Sequence, residues 1–446
     1  MSLDIANTLR FLPGRLLRSK TSTYAIVQSL LTQFSVLVVN FATGILTARL
    51  LGAEGRGIFA AIVLWPQLLS ALAVSGLTDT TSYFVGRAEQ ERASVVGGAL
   101  LVSLGASLVA VVVAWIALPV FMKNYDPQVL FVARICTLTA LTTTIQNIVN
   151  SALVGLQQFR LYNLSRFLPQ ALYLVGLWIA FVAHDFDYVT AVAAQILGGV
   201  VALAVVMPFV IPLLRGGLHS FRATFGALTS FMFRAAPADL LKNLGGYADR
   251  LLLVPVIPAV ALGNYAVAYS LSRVLVLIMP AITGVLLAKL TRSHPAEAKE
   301  HHDRVLRFML ILMVPTCAVL TVISEPLLTV LYGKDFHDTA MLFRILLVEA
   351  VFFSLASLTM QLYTVLGRPG LGSNIQIVSF IGEIICLFPL VAAFGATGAA
   401  LALLASSALR LLLLFAGMKT HLGLGLPSLR LRRSDFTYLF DRLLHP

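Results

Sequence analysis

Residues 95–121 read VVGGALLVSLGASLVAVVVAWIALPVF, a run without one charged side chain, bounded by Arg92 and Lys123. At about 1.5 Å of rise per residue, roughly 20 helical residues cross a hydrocarbon core of about 30 Å, so this run spans a bilayer with length to spare. Working outward, eleven further apolar runs appear, at 24–48, 58–85, 128–154, 162–183, 189–214, 228–256, 262–290, 304–331, 338–366, 371–394 and 396–418. The composition agrees: 59 % of the 446 residues are hydrophobic and 12 % charged, where soluble domains carry about 25 % charged residues. A soluble enzyme, a secreted disulfide scaffold and a disordered chain are excluded. A transmembrane barrel would show short alternating segments instead. The expectation is an all-α polytopic membrane protein of about twelve helices. Cys136, Cys317 and Cys386 fall inside apolar runs and read as small buried hydrophobes. The basic N-terminus with Arg10, Arg15, Arg18 and Lys20 has no apolar core and cleavage site before residue 24, so it does not read as a removable signal peptide.

Twelve spans place both termini on one side. With the termini in the cytoplasm, lysines and arginines number 21 in the inner segments and 4 in the outer ones, the latter being Arg49, Arg56, Lys123 and Lys334. Such a bias sets orientation, because basic loops stay on the cytoplasmic side. The net charge of +12 is thus mostly a topology signal, and no nucleic-acid partner is expected. Arg160 and Arg166 are counted among the inner charges.

The chain divides near its middle. Residues 1–214 are expected to form one six-helix bundle, 228–418 a second, and 419–446 a basic cytoplasmic tail. Two echoes support a repeat. Gly57-Ile58-Phe59-Ala60-Ala61 at the start of the second span is similar to Gly263-Asn264-Tyr265-Ala266-Val267-Ala268 at the start of the eighth. The approach Gly155 to Asn163 is similar to Gly367 to Asn374. Six spans per half make the repeat parallel, with a cleft between the bundles. The longest inner connection, at 291–303, carries His294, His301 and His302.

Polar side chains inside the spans are costly and point to a cavity or to one another. The seventh span carries Asp239, Lys242, Asn243, Asp249 and Arg250; Asp239 and Lys242 are three apart and can pair. The eighth carries Tyr265, Tyr269 and Arg273 at four-residue steps. The first carries Gln33 and Asn40, the second Asp79 and the eleventh Glu383. Arg134, Arg344, Glu349 and Arg410 read as lying nearer span ends, where long side chains reach water. Stripes of Ser, Thr and Asn equally suit plain helix packing, and the midplane charges equally suit neutralised structural pairs. Seven intramembrane cations stand against six anions.

No phosphate-binding glycine loop and no His-Glu-x-x-His metal motif occurs, so neither a cofactor nor a metal is expected. The outer connections are short, which argues for translocation over catalysis.

Ala48-Arg49-Leu50-Leu51-Gly52-Ala53-Glu54-Gly55-Arg56-Gly57 resembles the junction of the first two spans in the polysaccharide-transporter branch of the MOP superfamily. Asp249-Arg250 with Leu262-Gly263-Asn264-Tyr265-Ala266-Val267-Ala268 is similar to that family's seventh-to-eighth span segment, and Gly395-Ala396-Thr397-Gly398-Ala399-Ala400-Leu401-Ala402 to the start of its twelfth. Arg56 departs from the aromatic or apolar residue usual between the glycines of the first motif. The resemblance implies two pseudo-symmetric six-helix bundles around a central cavity, alternating access, and an anionic lipid-linked sugar as cargo. On that basis the expected function is a bacterial inner-membrane flippase for an undecaprenyl-diphosphate-linked oligosaccharide in O-antigen, capsule or exopolysaccharide assembly. A polysaccharide polymerase and a chain-length regulator are the expected partners beside membrane lipid. Arg273, Arg250 and Lys242 are the candidates for diphosphate or acidic sugars, and Asn40, Gln33 and Tyr269 for sugar hydroxyls. Asp239, Asp249, Glu383 and Asp79 are the candidates for charge balance or ion coupling. The alternatives are a MATE-like ion-coupled multidrug exporter and a membrane-embedded glycosyl enzyme.

Overall fold

The computed structural model describes residues 22–87, 91–184, 186–214, 221–278 and 295–428. The tail beyond Ser428, the N-terminal charges and His294 lie outside them. The helices are α1 Ser22–Ala73, α2 Leu77–Arg87, α3 Arg92–Phe121, α4 Pro127–Thr137, α5 Thr139–Gly155, α6 Phe159–Val182, α7 Tyr188–Val210, α8 Phe221–Leu253, α9 Ala259–Ser272, α10 Pro295–Val322, α11 Ser324–Tyr332, α12 Ala340–Val365 and α13 Pro369–Thr420. Short 3-10 turns follow α7, α9 and α11. Helix is forced by the medium: in hydrocarbon a backbone N–H or C=O must find its partner within its own segment.

Each expected run falls on helix, with the described part of the eighth ending at Ile278. Among the described residues nine helices are long and apolar enough to cross a membrane, two of them of 43 and 52 residues. Those two are each a pair of spans, α1 broken at Gly52 with φ 66° and α13 at Gly395 with φ 57°. The helix that hydropathy alone misses is α8, whose charges dilute it. The chain is a multi-pass membrane protein. The connection expected at 291–303 is helical from Pro295 onward, since proline suits the first turn and Ala-Glu-Ala-Lys-Glu favours helix.

α3 shows how the spans meet lipid. Its buried residues Val95, Ala99, Ser103, Ser107, Val111, Ala114 and Leu118 repeat at steps of three and four. They are mostly small, which lets neighbouring backbones come close. Ile116, Val120 and Val109 on the other face are 74, 69 and 64 % exposed, an apolar surface that only lipid covers without cost.

The described residues form two compact units, which divide between Ala259 and Val260. α8 packs within the first unit. Leu228 and Met232 join the core of Val74, Leu77, Val95 and Ile148. Gly76, between α1 and α2, has φ +74°, and a Cβ there would stand 2.7 Å from the Met232 carbonyl oxygen and 2.8 Å from the Ala236 nitrogen. Only glycine allows this approach. In the second unit α12 is the central helix, with Phe343, Leu346, Leu347, Leu358, Leu362 and Tyr363 buried, packed against α10 and α13.

The repeat is visible in backbone detail. α5 ends with Leu156 N–H donating to Ala152 O, Gln157 to Val154 O and Gln158 to Leu153 O. α12 ends with Leu366 donating to Leu362 O, Gly367 to Thr364 O and Arg368 to Tyr363 O. The middle residue is left-handed in both, with φ 56° at Gln157 and 72° at Gly367. The next helix starts one residue later in both copies, at Phe159 and at Pro369.

Candidate functional site

The first unit holds a cavity of about 430 Å³. α5 supplies Thr139, Thr142, Thr143, Gln146 and Asn150, and α6 supplies Ser165, Arg166, Gln170 and Tyr173. Asn40 and Gln67 of α1 and Gln195 of α7 complete the polar wall. Pro66 and Pro169 also line it, each inside a helix, where the ring breaks the intrahelical ladder and leaves a carbonyl to be satisfied otherwise. The wall is partly self-bonded. The Gln146 amide donates to Ser165 Oγ, which donates to Asn150 Oδ1 at 2.6 Å.

Of the expected sugar-binding residues, Asn40 lines this cavity and Gln33 adjoins it: Arg166 Nη1 donates to Gln33 Oε1 at 3.0 Å. Arg166 also lies over the Tyr162 ring, 5.4 Å from its centroid. The sequence reading counted Arg166 as a loop charge. α6 starts at Phe159, so Arg166 is seven residues inside it. The spacing of Arg166, Gln170 and Tyr173 at steps of four and three puts them on one face.

The second unit holds a charged cluster. Arg273 Nη2 donates to Glu349 Oε2 at 2.7 Å, and Ser407 Oγ donates to Glu349 Oε1 at 2.8 Å. Glu349 is fully buried. Arg273 stacks on Tyr269 at 4.3 Å and on Phe353 at 5.1 Å, and Arg410 lies over Phe353 at 4.9 Å. Glu349 and the buried Glu383 are both within electrostatic reach of Arg410. Tyr265 stacks on Tyr269 with centroids 6.0 Å apart, completing the ladder expected on the eighth span. Glu349 and Arg410, expected near span ends, instead lie inside the unit. Arg344 does sit at a span end, bonded to Glu325 at 2.9 Å and to Ser324 Oγ at 2.8 Å.

The seventh-span residues are differently employed. Asp239 Oδ2 accepts the Gly76 N–H at 2.9 Å. Asn243 donates to Ala71 O at 2.9 Å and to Ser75 Oγ at 3.0 Å. Together they satisfy backbone groups freed by the break between α1 and α2. Asp249 is buried with Arg250 Nε at 3.7 Å, and Arg250 donates to Gly246 O at 2.6 Å. Lys242 lies on α8, its side chain outside the described residues. Asp79 is exposed on α2.

The sequence profile of a family described as "Polysaccharide biosynthesis protein" matches residues 46–341, about two-thirds of the chain. The chain belongs to this family. Among solved structures, this family member is similar to an inward-facing MATE multidrug transporter of the MOP superfamily, with TM-score 0.72 and 15 % identity over 89 % of this chain and 98 % of that one. It is likewise similar to the lipid II flippase MurJ in an inward closed conformation, with TM-score 0.73 and 13 % identity over 95 % and 91 %. A third is the Vibrio cholerae MATE transporter VcmN, with TM-score 0.59 and 16 % identity over 90 % and 96 %. At these identities the likeness establishes the fold: the polysaccharide biosynthesis protein has the helical, pseudo-symmetric fold of MOP transporters. No curated protein sequence matches it.

Proposed function

We propose that this protein is a flippase carrying an undecaprenyl-diphosphate-linked oligosaccharide across the bacterial inner membrane by alternating access, for assembly of a surface polysaccharide. The observation that carries the reading is a polysaccharide-family chain made of membrane spans whose first unit encloses a cavity walled by amides and hydroxyls. Sugar hydroxyls cannot enter hydrocarbon without replacing their hydrogen bonds to water, and such a wall replaces them. The termini face the cytoplasm, and a polymerase and a chain-length regulator take over the flipped product.

In this reading Arg273, Arg250 and Lys242 meet the diphosphate or acidic sugars, and Asn40, Gln33 and Tyr269 meet hydroxyls. Asp249, Glu383, Asp79 and Asp239 balance charge or carry a coupling ion, Asp239 while also holding the Gly76 amide. The test is translocation in proteoliposomes of a polyprenyl-diphosphate oligosaccharide labelled on its sugar. Wild-type protein moves it between leaflets, and Arg273→Ala does not although it inserts. Efflux of cationic dyes without any movement of the labelled lipid would replace this reading with a multidrug exporter.

A further inference from the structure

We propose that the cavity of the first unit binds the phosphate-linked, uncharged first sugar of the cargo, with Arg166 pairing the phosphate and Tyr173 and Gln195 holding the ring. This rests on the flippase reading and names the chemistry that its site selects.

Charge singles out Arg166. In the second unit the guanidinium of Arg273 shares its charge with a buried carboxylate 2.7 Å away. Arg166 bonds the neutral Gln33 and lies on a tyrosine ring, and none of the described residues lining its cavity carries a carboxylate. A cation facing a cavity whose lining carries no counter-charge favours an anionic ligand group. A guanidinium offers a planar fork of donors suited to phosphate oxygens.

The other lining residues are neutral, while Arg56, over the Phe59 ring that stacks on Tyr173, is within electrostatic reach of the Tyr173 phenol; two polar atoms of the wall await a partner. Tyr173 is 8 % exposed, its ring stacked on Phe59 at 6.4 Å. Its buried hydroxyl and the buried Gln195 Oε1 have no hydrogen-bond partner among the described residues. Buried polar atoms are normally satisfied, so a phenol and an amide both left open on one cavity point to a ligand that bonds them. The phenol can donate and accept, whereas the amide oxygen only accepts. A hydroxyl-bearing ring meets both. A sugar carboxylate would compete with the phosphate for Arg166. The volume of about 430 Å³ lies at the low end of the roughly 300–1,000 Å³ usual for small-molecule sites, room for a single sugar with its phosphate and not for a whole oligosaccharide.

The experiment titrates the full chain in nanodiscs with three probes: geranyl diphosphate, geranyl-diphospho-glucose and geranyl-diphospho-glucuronic acid. Wild type is expected to prefer the glucose probe to both others. Arg166→Gln should weaken the glucose probe at least about tenfold and flatten its salt dependence, while Arg166→Lys, which keeps charge and bulk, should stay within about threefold. Tyr173→Phe should weaken the glucose probe about fivefold without weakening geranyl diphosphate, and without lowering the thermal midpoint, because it deletes only an unbonded hydroxyl. Should Arg166→Gln fail to fold, Tyr173→Phe and the glucuronate comparison decide alone. Wild-type binding of all probes by Arg166→Gln and Tyr173→Phe, or equal binding of glucose and glucuronate, would overturn the site. A wild-type protein that binds the glucose probe but moves no labelled lipid overturns the flippase reading and leaves the site standing.

Discussion

Arg273, partly buried, pairs with the fully buried Glu349 at 2.7 Å, with the second carboxylate oxygen of Glu349 taken by Ser407. Removing one member of such a pair leaves a charge in a medium that cannot solvate it, a cost of about 3–5 kcal/mol. Arg273→Ala should therefore lower the thermal midpoint in detergent as well as block transport. Arg273→Met combined with Glu349→Leu should recover most of the stability without recovering transport, since neutral side chains of similar bulk fill the same space. If the double variant transports normally, the pair is only a strut and Arg273 leaves the list of substrate contacts.

Asp239 separates a structural role from an ion-coupling one. Its carboxylate holds the Gly76 N–H, at a break where α8 comes too close for any side chain. Asp239→Asn keeps an acceptor oxygen and should keep the thermal midpoint. Asp239→Ala should destabilise by about 1–3 kcal/mol, the usual cost of an orphaned buried amide. Loss of transport in a fully stable Asp239→Asn protein would instead assign it the coupling role. Gly76→Ala should lower the thermal midpoint more than either, because the added methyl meets backbone atoms of Met232 and Ala236.

The spans were legible because lipid admits few solutions: long uncharged runs become helices. Pairings inside the units were less legible. Hydropathy says that Glu349 is within a run but not which helix faces it, so its partnership with Arg273, 76 residues earlier, depends on tertiary packing. α8 shows the same limit. Its polar residues read as a candidate transport site; Asp239 and Asn243 also satisfy the α1–α2 break, and no local pattern marks that break as needing them. Thr, Gln and Asn on α5 and α6 fit packing and a cavity equally well in sequence, and only the wall they share distinguishes the two.

The repeated turn offers a clean stability test. Gln157 and Gly367 occupy equivalent left-handed positions, but only one is glycine. A side chain in that region costs about 1–2 kcal/mol. Gln157→Gly should stabilise the protein by about 1 kcal/mol and Gly367→Ala should destabilise it by a similar amount, with transport unchanged in both. Equal and negligible shifts in thermal midpoint would show that the two turns relax freely and that the strain is not stored there.

The end of the described chain is tied down at α10. Ser428 N–H donates to Asp303 Oδ2 at 3.1 Å, and Arg307 Nη1 donates to Ser428 O at 3.0 Å. Asp303 is itself held by Lys299 at 2.7 Å and by His302 at 3.3 Å, while the other nitrogen of His302 reaches Thr359 Oγ1 at 3.3 Å. Residues 421–428 have no helix of their own, so this carboxylate is what anchors their last amide. A hydrogen bond to a charged acceptor contributes about 1.5–3 kcal/mol, and opening it accelerates amide exchange by about ten- to a hundredfold. Asp303→Asn keeps an acceptor but loses the charge, so it should give an intermediate rate, and Asp303→Ala the full acceleration, in peptides spanning 421–428 measured by hydrogen exchange. Unchanged exchange in both variants would mean that Arg307 alone holds the strap.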